Sequence, residues 1–203
     1  MRRSREPIGV LLAGGPGRRL GGDKARVALA GRPLAQWALD ALAEVLDDVV
    51  VACRLETELP SLRGVGEAWV ERDGTRGAAG GLASALREAR GRSILACSIN
   101  LPLITPAVIR ALVQAKGDTP AVVPAVGDRV EPLVGRWEPA ALPVVAALPP
   151  DASLTTAARA VRAATIPFDA DDPAFTCVHA PEDLLRAAAL LDTPRPPHLR
   201  VVV

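Results

Sequence analysis

The sequence predicts an α/β fold, a mostly parallel sheet with helices on both faces. Three observations carry that expectation. Strand-like and helix-like segments alternate along the chain, the pattern that builds a parallel sheet with covering helices. A glycine-rich, basic loop follows directly on the first apolar run, in the stretch LLAGGPGRRLGGDKA (11–25). Of the 203 residues 49% are apolar, with no internal repeat and no linker-like stretch before the tail, which suits one sizeable core. The domain is therefore expected over 1–192, with a proline-rich, extended tail over 193–203 that holds Pro194, Pro196 and Pro197.

The elements follow in order. IGVLLA (8–13) is a short apolar run ending in glycine, as a buried parallel strand requires. PLAQWALDALAEVL (33–46) sets Leu34, Trp37, Ala38, Ala41, Leu42 and Val45 on one helical face. DDVVVAC (47–53) reads as strand again, and EAWVE (67–71) as a short one. AAGGLASALREAR (78–90) is a helix with its glycines near the start, and SILACSI (93–99) a further buried strand. Thr105 and Pro106 form a cap and first-turn pair for the helix PAVIRALVQAK (106–116). PAVVPAV (120–126) and PLVGRW (132–137) are strand candidates. Pro181, Glu182 and Asp183 open a last helix that runs to about Leu191.

Charge and cysteine usage narrow the function classes. The 24 basic and 23 acidic side chains leave a formal charge of +1, so no broad basic field exists and nucleic acid is not an expected partner. No run approaches the ~18 apolar residues of a membrane helix, and the first apolar run gives way to a charged loop rather than a cleavage site. Cys53, Cys97 and Cys177 lie far apart without metal-type spacing, and read as small core residues in a reduced cytoplasm. His179, just before Pro181, reads as structural, His198 as solvated, and Asp171 with Asp172 as a turn. Nothing in the sequence suggests nucleophilic catalysis.

The opening loop concentrates the chemistry. Gly14, Gly15, Gly17, Gly21 and Gly22 let backbone amides approach a ligand without a Cβ in the way, and successive amides cradle phosphate oxygens. Arg18, Arg19 and Lys24 add positive charge, and in such a sheet ligands bind where the loop lies, at the strands' carboxyl ends. Two familiar phosphate loops do not fit. Lys24 lies between Asp23 and Ala25 instead of the Gly-Lys-Ser/Thr of a Walker A loop. The dinucleotide fingerprint fails because its third glycine position is Leu20.

What the loop does resemble is Leu12-Ala13-Gly14-Gly15, then Arg19-Leu20-Gly21, then Asp23-Lys24, in the order and spacing of the molybdenum cofactor guanylyltransferases, the MobA-like nucleotidyltransferases. ALAGRPLAQWALDAL, GAAGGLASAL (77–86), ILACSINLPLITPAVI (94–109), VEPLVGRW (130–137) and FTCVHAPEDL (175–184) extend the resemblance across almost the whole chain. It implies a three-layer Rossmann-like nucleotidyltransferase fold with a mostly parallel sheet. It also implies transfer of GMP from GTP to the phosphate of molybdopterin, with release of pyrophosphate, in the cytoplasm.

Carried over by position, Leu12, Ala13, Gly14 and Gly15 meet the nucleotide, Lys24 the phosphates, and Arg19 the charge of the transition state. The acidic residue before the second glycine cluster is Glu71 or Asp73, with Asp73 taken as the nucleotide contact. The metal aspartate falls at Asn100, so Mg²⁺ is expected with GTP at that position, or on Asp23, Glu71 or Asp73, although an amide supplies ligand shape without charge. The family's nucleotide asparagine becomes Ala52 or Cys53, and its late asparagines become Cys177 and His179. GTP and molybdopterin are the implied partners, and molybdoenzyme chaperones are compatible with the resemblance. Two alternatives stay open: a catalytically impaired nucleotide- or pterin-binding protein of the same fold, and an enzyme using CTP or another phosphorylated acceptor.

Overall fold

The structure is a computed structural model, which describes residues 6–15, 17–20, 24–65, 67–71 and 77–192. The tail over 193–203 lies outside the described residues. Along the chain run β1 (Ile8–Leu12), the short hairpin β2 (Ala28–Leu29) and β3 (Arg32–Pro33), α1 (Leu34–Ala43), β4 (Val49–Cys53) and β5 (Glu67–Val70). Next come α2 (Gly77–Glu88), β6 (Ile94–Ser98), α3 (Pro106–Gln114), β7 (Ala121–Val126), β8 (Arg129–Val130) and β9 (Val134–Trp137). The last elements are α4 (Leu142–Ala146), α5 (Leu154–Ala160), β10 (Ala164–Phe168) and α6 (Pro181–Asp192).

The main sheet runs β10-β7-β9-β6-β1-β4-β5, with β8 beside β7. β1 pairs parallel with β4 and β6, β4 with β5, and β7 with β10, so the expected mostly parallel sheet is present. β9 is the exception: it lies antiparallel between β6 and β7. A Cβ on Gly135 of β9 would stand 2.8 Å from Val123 Cγ1 and 3.1 Å from the Val122 carbonyl oxygen, so only glycine fits this pairing.

Alternation along each strand divides the core into two layers. Leu11, Val51 and Leu95 face a cluster with Leu34, Ala38 and Leu42 of α1, Ile109 and Leu112 of α3, and Ala187 of α6. Their neighbours Val10, Val50 and Ile94 face the other cluster, with Leu82 and Leu86 of α2, Val145 of α4 and Ala157 of α5. Each fully buried leucine or isoleucine stabilises the fold by about 1.5–3 kcal/mol relative to exposure. The result is three layers, helices on each face of one mostly parallel sheet, the Rossmann-like arrangement expected.

Local chemistry sets the boundaries. The Thr105 hydroxyl accepts from the Val108 amide at 3.4 Å, and Pro106 opens α3 as expected. The far end of α3 is held by Arg136 of β9, whose guanidinium donates to the carbonyls of Leu112, Val113 and Ala115 at 3.3, 2.9 and 2.7 Å. A cation at a helix carboxyl end is favourable, and it satisfies carbonyls that no helix turn can reach. Asp183 accepts from the amides of His179 and Ala180 at 2.9 and 3.0 Å, closing the start of α6, and those bonds hold its carboxyl below its ordinary range. Asp172 accepts from the Ala174 amide at 2.9 Å, the turn expected there.

Candidate active site

The strand ends assemble the site. Leu12 of β1 stands between Ala52 of β4 and Ser98 of β6 in register, and the Glu71 amide extends the edge of the sheet by donating to the Cys53 carbonyl at 2.8 Å. The residues that follow these strands, Gly14, Arg54, Glu71 and Asn100, therefore converge at the carboxyl edge of the sheet. They line a cleft of about 270 Å³ together with Lys24 and Gly81 of α2. That is near the lower end of the ~300–1,000 Å³ typical of small-molecule sites.

The glycine loop divides by role. Leu12 is half-buried and lines the cleft, with Gly14 and Gly15 above it. Ala13 is different: it is 1% exposed and its amide donates to the Ala52 carbonyl at 2.8 Å, so it anchors the base of the loop instead of facing a ligand. Gly15 is exposed, with nothing within 4 Å of the place a Cβ would take. Gly17 adopts φ +53°, and its carbonyl accepts from Leu20 at 2.8 Å to close a 3₁₀ turn over Arg18–Leu20. Gly21, Gly22 and Asp23 lie outside the described residues, as does Asp73, the acidic residue assigned to the nucleotide.

Among the described residues, the acidic side chain lining the cleft is that of Glu71. Its side chain is 6% exposed, and its carboxylate lies in a hollow made by two glycines. A Cβ on Gly14 would stand 2.6 Å from Glu71 Oε1, and one on Gly81 would stand 2.8 Å from the same atom. Two glycines from different elements are thus needed to admit one carboxylate. Arg54 Nε approaches Glu71 Oε2 at 3.6 Å, too far for a hydrogen bond. Oε2 has no hydrogen-bond partner among the described residues. Burial pushes the Glu71 carboxyl above its ordinary range, and the Arg54 guanidinium pulls it part of the way back.

Lys24 closes the opposite side. The residue is 8% exposed, and its Nζ donates to Asn100 Oδ1 at 2.6 Å and to the Val178 carbonyl at 3.0 Å, with His179 Nδ1 at 3.4 Å. Asn100 is itself fixed: its amide donates to Ser98 Oγ at 3.2 Å, and its carbonyl accepts from the Val178 amide at 2.8 Å. Burial lowers the Lys24 pKa from its ordinary value; Cys177 opposes that shift and Arg19 adds to it. Burial and the charge of Lys24 likewise lower the pKa of His179. Arg19 is exposed yet close enough to act on both groups, so Arg19, Lys24 and His179 form one basic corner. His179 has a structural part through its amide, as expected, but its ring also faces the lysine.

The Asn100 oxygen assigned to a metal is thus occupied by an ammonium, and Asn100 as it stands does not fit a cation site. Among the described residues no three His, Cys, Asp or Glu side chains gather into a group that could hold a metal ion. Cys97 is fully buried and its thiol is pushed up to about 12, while burial and Glu131 raise Cys177 to about 11. Both are neutral thiols at physiological pH. Arg54 and the Val178 carbonyl are participants that the sequence did not single out, and Glu71 entered there only as the alternative to Asp73. A backbone carbonyl leaves no trace in side-chain pattern.

Among the described residues no helix is long and apolar enough to cross a membrane. The family model for the MobA-like NTP transferase domain matches residues 9–167. The chain is 30% identical over 190 residues to a molybdenum cofactor guanylyltransferase of Cereibacter sphaeroides, covering 91% of this chain and 96% of that protein. A probable molybdenum cofactor guanylyltransferase of Natronomonas pharaonis is also 30% identical, over 195 residues, covering 90% of this chain and 96% of the relative. In three dimensions the chain is similar to molybdopterin-guanine dinucleotide biosynthesis protein A from Archaeoglobus fulgidus, with a TM-score of 0.72 and 23% identity, over 91% of this chain and 98% of that one. Glycine loop, sheet order and sequence matches agree, and the chain belongs to the family of MobA-like NTP transferases.

Proposed function

We propose that this chain is a molybdenum cofactor guanylyltransferase. It binds GTP in the cleft and transfers GMP to the phosphate of molybdopterin in the cytoplasm. A phosphate oxygen of the acceptor attacks the α-phosphorus of GTP, the bond to the β-phosphate oxygen breaks, and pyrophosphate leaves. The observation that carries this reading is that one cleft holds Glu71 at one side and Lys24 at the other, with the Gly14–Gly15 backbone between them.

The charges orient the nucleotide. A carboxylate accepts two hydrogen bonds side by side, and guanine offers two adjacent donors, N1–H and the 2-amino group. Glu71, whose Oε2 has no hydrogen bond among the described residues, is the base reader in this proposal and takes the role expected of Asp73. The triphosphate then runs past Leu12, Gly14 and Gly15 toward Lys24 and Arg19, with Ala13 supporting the loop from beneath. The work of the chain is placement and neutralisation of developing charge, as in phosphoryl transfer generally. Mg²⁺ brought with GTP would neutralise part of the triphosphate charge, and Lys24 and Arg19 meet the remainder.

A second reading follows from Asn100: a protein of this fold that binds nucleotide but does not turn it over. One assay separates the two. Native protein is mixed with GTP, Mg²⁺ and molybdopterin, and pyrophosphate is measured, with ATP, CTP and UTP as competitors. Release that depends on acceptor and is inhibited least by the other three nucleotides is the expected result. GTP binding without pyrophosphate establishes the second reading, and preferential use of CTP overturns the base assignment.

A further inference from the structure

We propose that Asn100 is a positioning residue for Lys24, and that its neutral amide offsets none of the lysine's charge, so that the cleft accepts the phosphates of a nucleotide without a divalent ion anchored at position 100. The inference rests on the guanylyltransferase reading and concerns how that site obtains its positive charge.

The geometry is that of a built site rather than a chance contact. Lys24 Nζ has three donors, and three acceptors face it: Asn100 Oδ1 at 2.6 Å, the Val178 carbonyl at 3.0 Å and His179 Nδ1 at 3.4 Å. The Val178 amide in turn donates to the Asn100 carbonyl at 2.8 Å, so the segment after β6 and the segment before α6 are bonded to each other and to the same lysine. All three acceptors are dipoles without formal charge. They fix the ammonium in place and satisfy its donors, but they cancel none of its charge. An aspartate at position 100 would do the opposite, since a carboxylate at 2.6 Å from Nζ makes the pair neutral as a whole.

That single difference decides what the free cleft attracts. With asparagine the Lys24 corner keeps a net positive character: Arg19 adds to it, and the Asp183 carboxylate, tied to the amides of His179 and Ala180, offsets it only in part, so that it attracts a polyphosphate directly. With aspartate the corner is neutral or attracts a cation first, and the polyphosphate follows the metal. A unit of charge at contact distance is worth about 1–4 kcal/mol between bulk-water and surface-like dielectric, or roughly fivefold to several hundredfold in affinity.

The test is calorimetric titration of GTP in EDTA and in Mg²⁺, on native protein, Asn100→Asp and Asn100→Ala, with electron paramagnetic resonance of Mn²⁺ and each protein without nucleotide. Native protein is expected to bind GTP in EDTA within a few-fold of its affinity in Mg²⁺, and to leave Mn²⁺ free. Asn100→Asp is expected to lose at least about tenfold in EDTA, to recover with Mg²⁺, and to bind Mn²⁺. Asn100→Ala leaves the ammonium with two of its three acceptors and less firmly placed: kcat for pyrophosphate release falls while KM for GTP changes less, a split that loss of folding would not produce. Native protein that binds Mn²⁺ on its own and loses it in Asn100→Ala overturns the proposal. So does native GTP binding that fails in EDTA and appears with Mg²⁺, which leaves the guanylyltransferase reading standing. Absence of GTP binding in both buffers overturns both.

Discussion

The two sides of the cleft bury opposite charges in opposite ways. At the Glu71 side a carboxylate lies in a hollow that Gly14 and Gly81 open for it, with one oxygen left without a hydrogen bond among the described residues. At the Lys24 side an ammonium is tied to three acceptors from two distant segments of the chain. A buried group without partners costs stability, and it persists where a ligand supplies the missing bond. A buried group with every partner in place is held for its position. On the proposed function the Glu71 side recognises and the Lys24 side neutralises. Experiments that disturb one side should leave the mark of that side alone.

Removing the ammonium is the harshest disturbance. Lys24→Ala is expected to lower pyrophosphate release by roughly 10²–10³-fold, the scale of losing one charge-stabilising donor. Lys24→Arg is expected to rescue little of it, because a planar fork does not match three acceptors arranged around one nitrogen. Equal activity in Lys24→Ala and native protein would break the distinction between the two sides.

Next is the hollow. Gly14→Ala puts a methyl group 2.6 Å from Glu71 Oε1, whereas Gly15→Ala meets nothing within 4 Å. Thermal unfolding should therefore separate neighbouring glycines: Gly14→Ala forces the Glu71 carboxylate aside at a modest cost in stability, and Gly15→Ala changes stability little. KM for GTP should rise in the first through the displaced carboxylate.

Glu71→Gln sharpens the same side by moving binding and stability in opposite directions. The Glu71 carboxyl is raised by burial in the folded protein. Its contribution to stability is therefore present below the unfolded carboxylate pKa and lost as pH rises through the folded value. Above that value the native protein carries a buried charge that the glutamine does not, and at pH 7 the variant should melt higher. GTP affinity should fall by about tenfold with loss of the paired acceptor.

The smallest effect lies away from both sides. Cys97, with its thiol near 12, adds stability below the unfolded thiol value of about 8.5 that drains away as pH rises toward 12. Denaturant titrations of native protein and Cys97→Ala should converge as pH rises above about 9, while thiol reagents at pH 7 should react slowly with the folded protein.

How far these features could be read in advance depends on which atoms carry them. β1, β4 and β6 were readable because buried parallel strands are continuous apolar runs, and α3 because Thr105 and Pro106 mark its start. α4 and α5, of 5 and 7 residues, are too short for a helical period to show. β10 holds Pro167 and lies at the edge of the sheet, where proline is tolerated but hides a strand from pattern reading. In the cleft, the loop and Lys24 were marked by glycine and charge. Glu71 could not be told from Asp73 without knowing where β5 ends, and Val178 acts through a carbonyl that every residue has.

The most direct measurement is the affinity of GTP against that of inosine triphosphate, which lacks only the 2-amino group, for native protein and for Glu71→Gln. The account predicts that native protein prefers GTP by about tenfold or more, and that the preference collapses in the variant while the triphosphate is still bound. A preference that survives unchanged in Glu71→Gln would place the base elsewhere and contradict the orientation on which the mechanism depends.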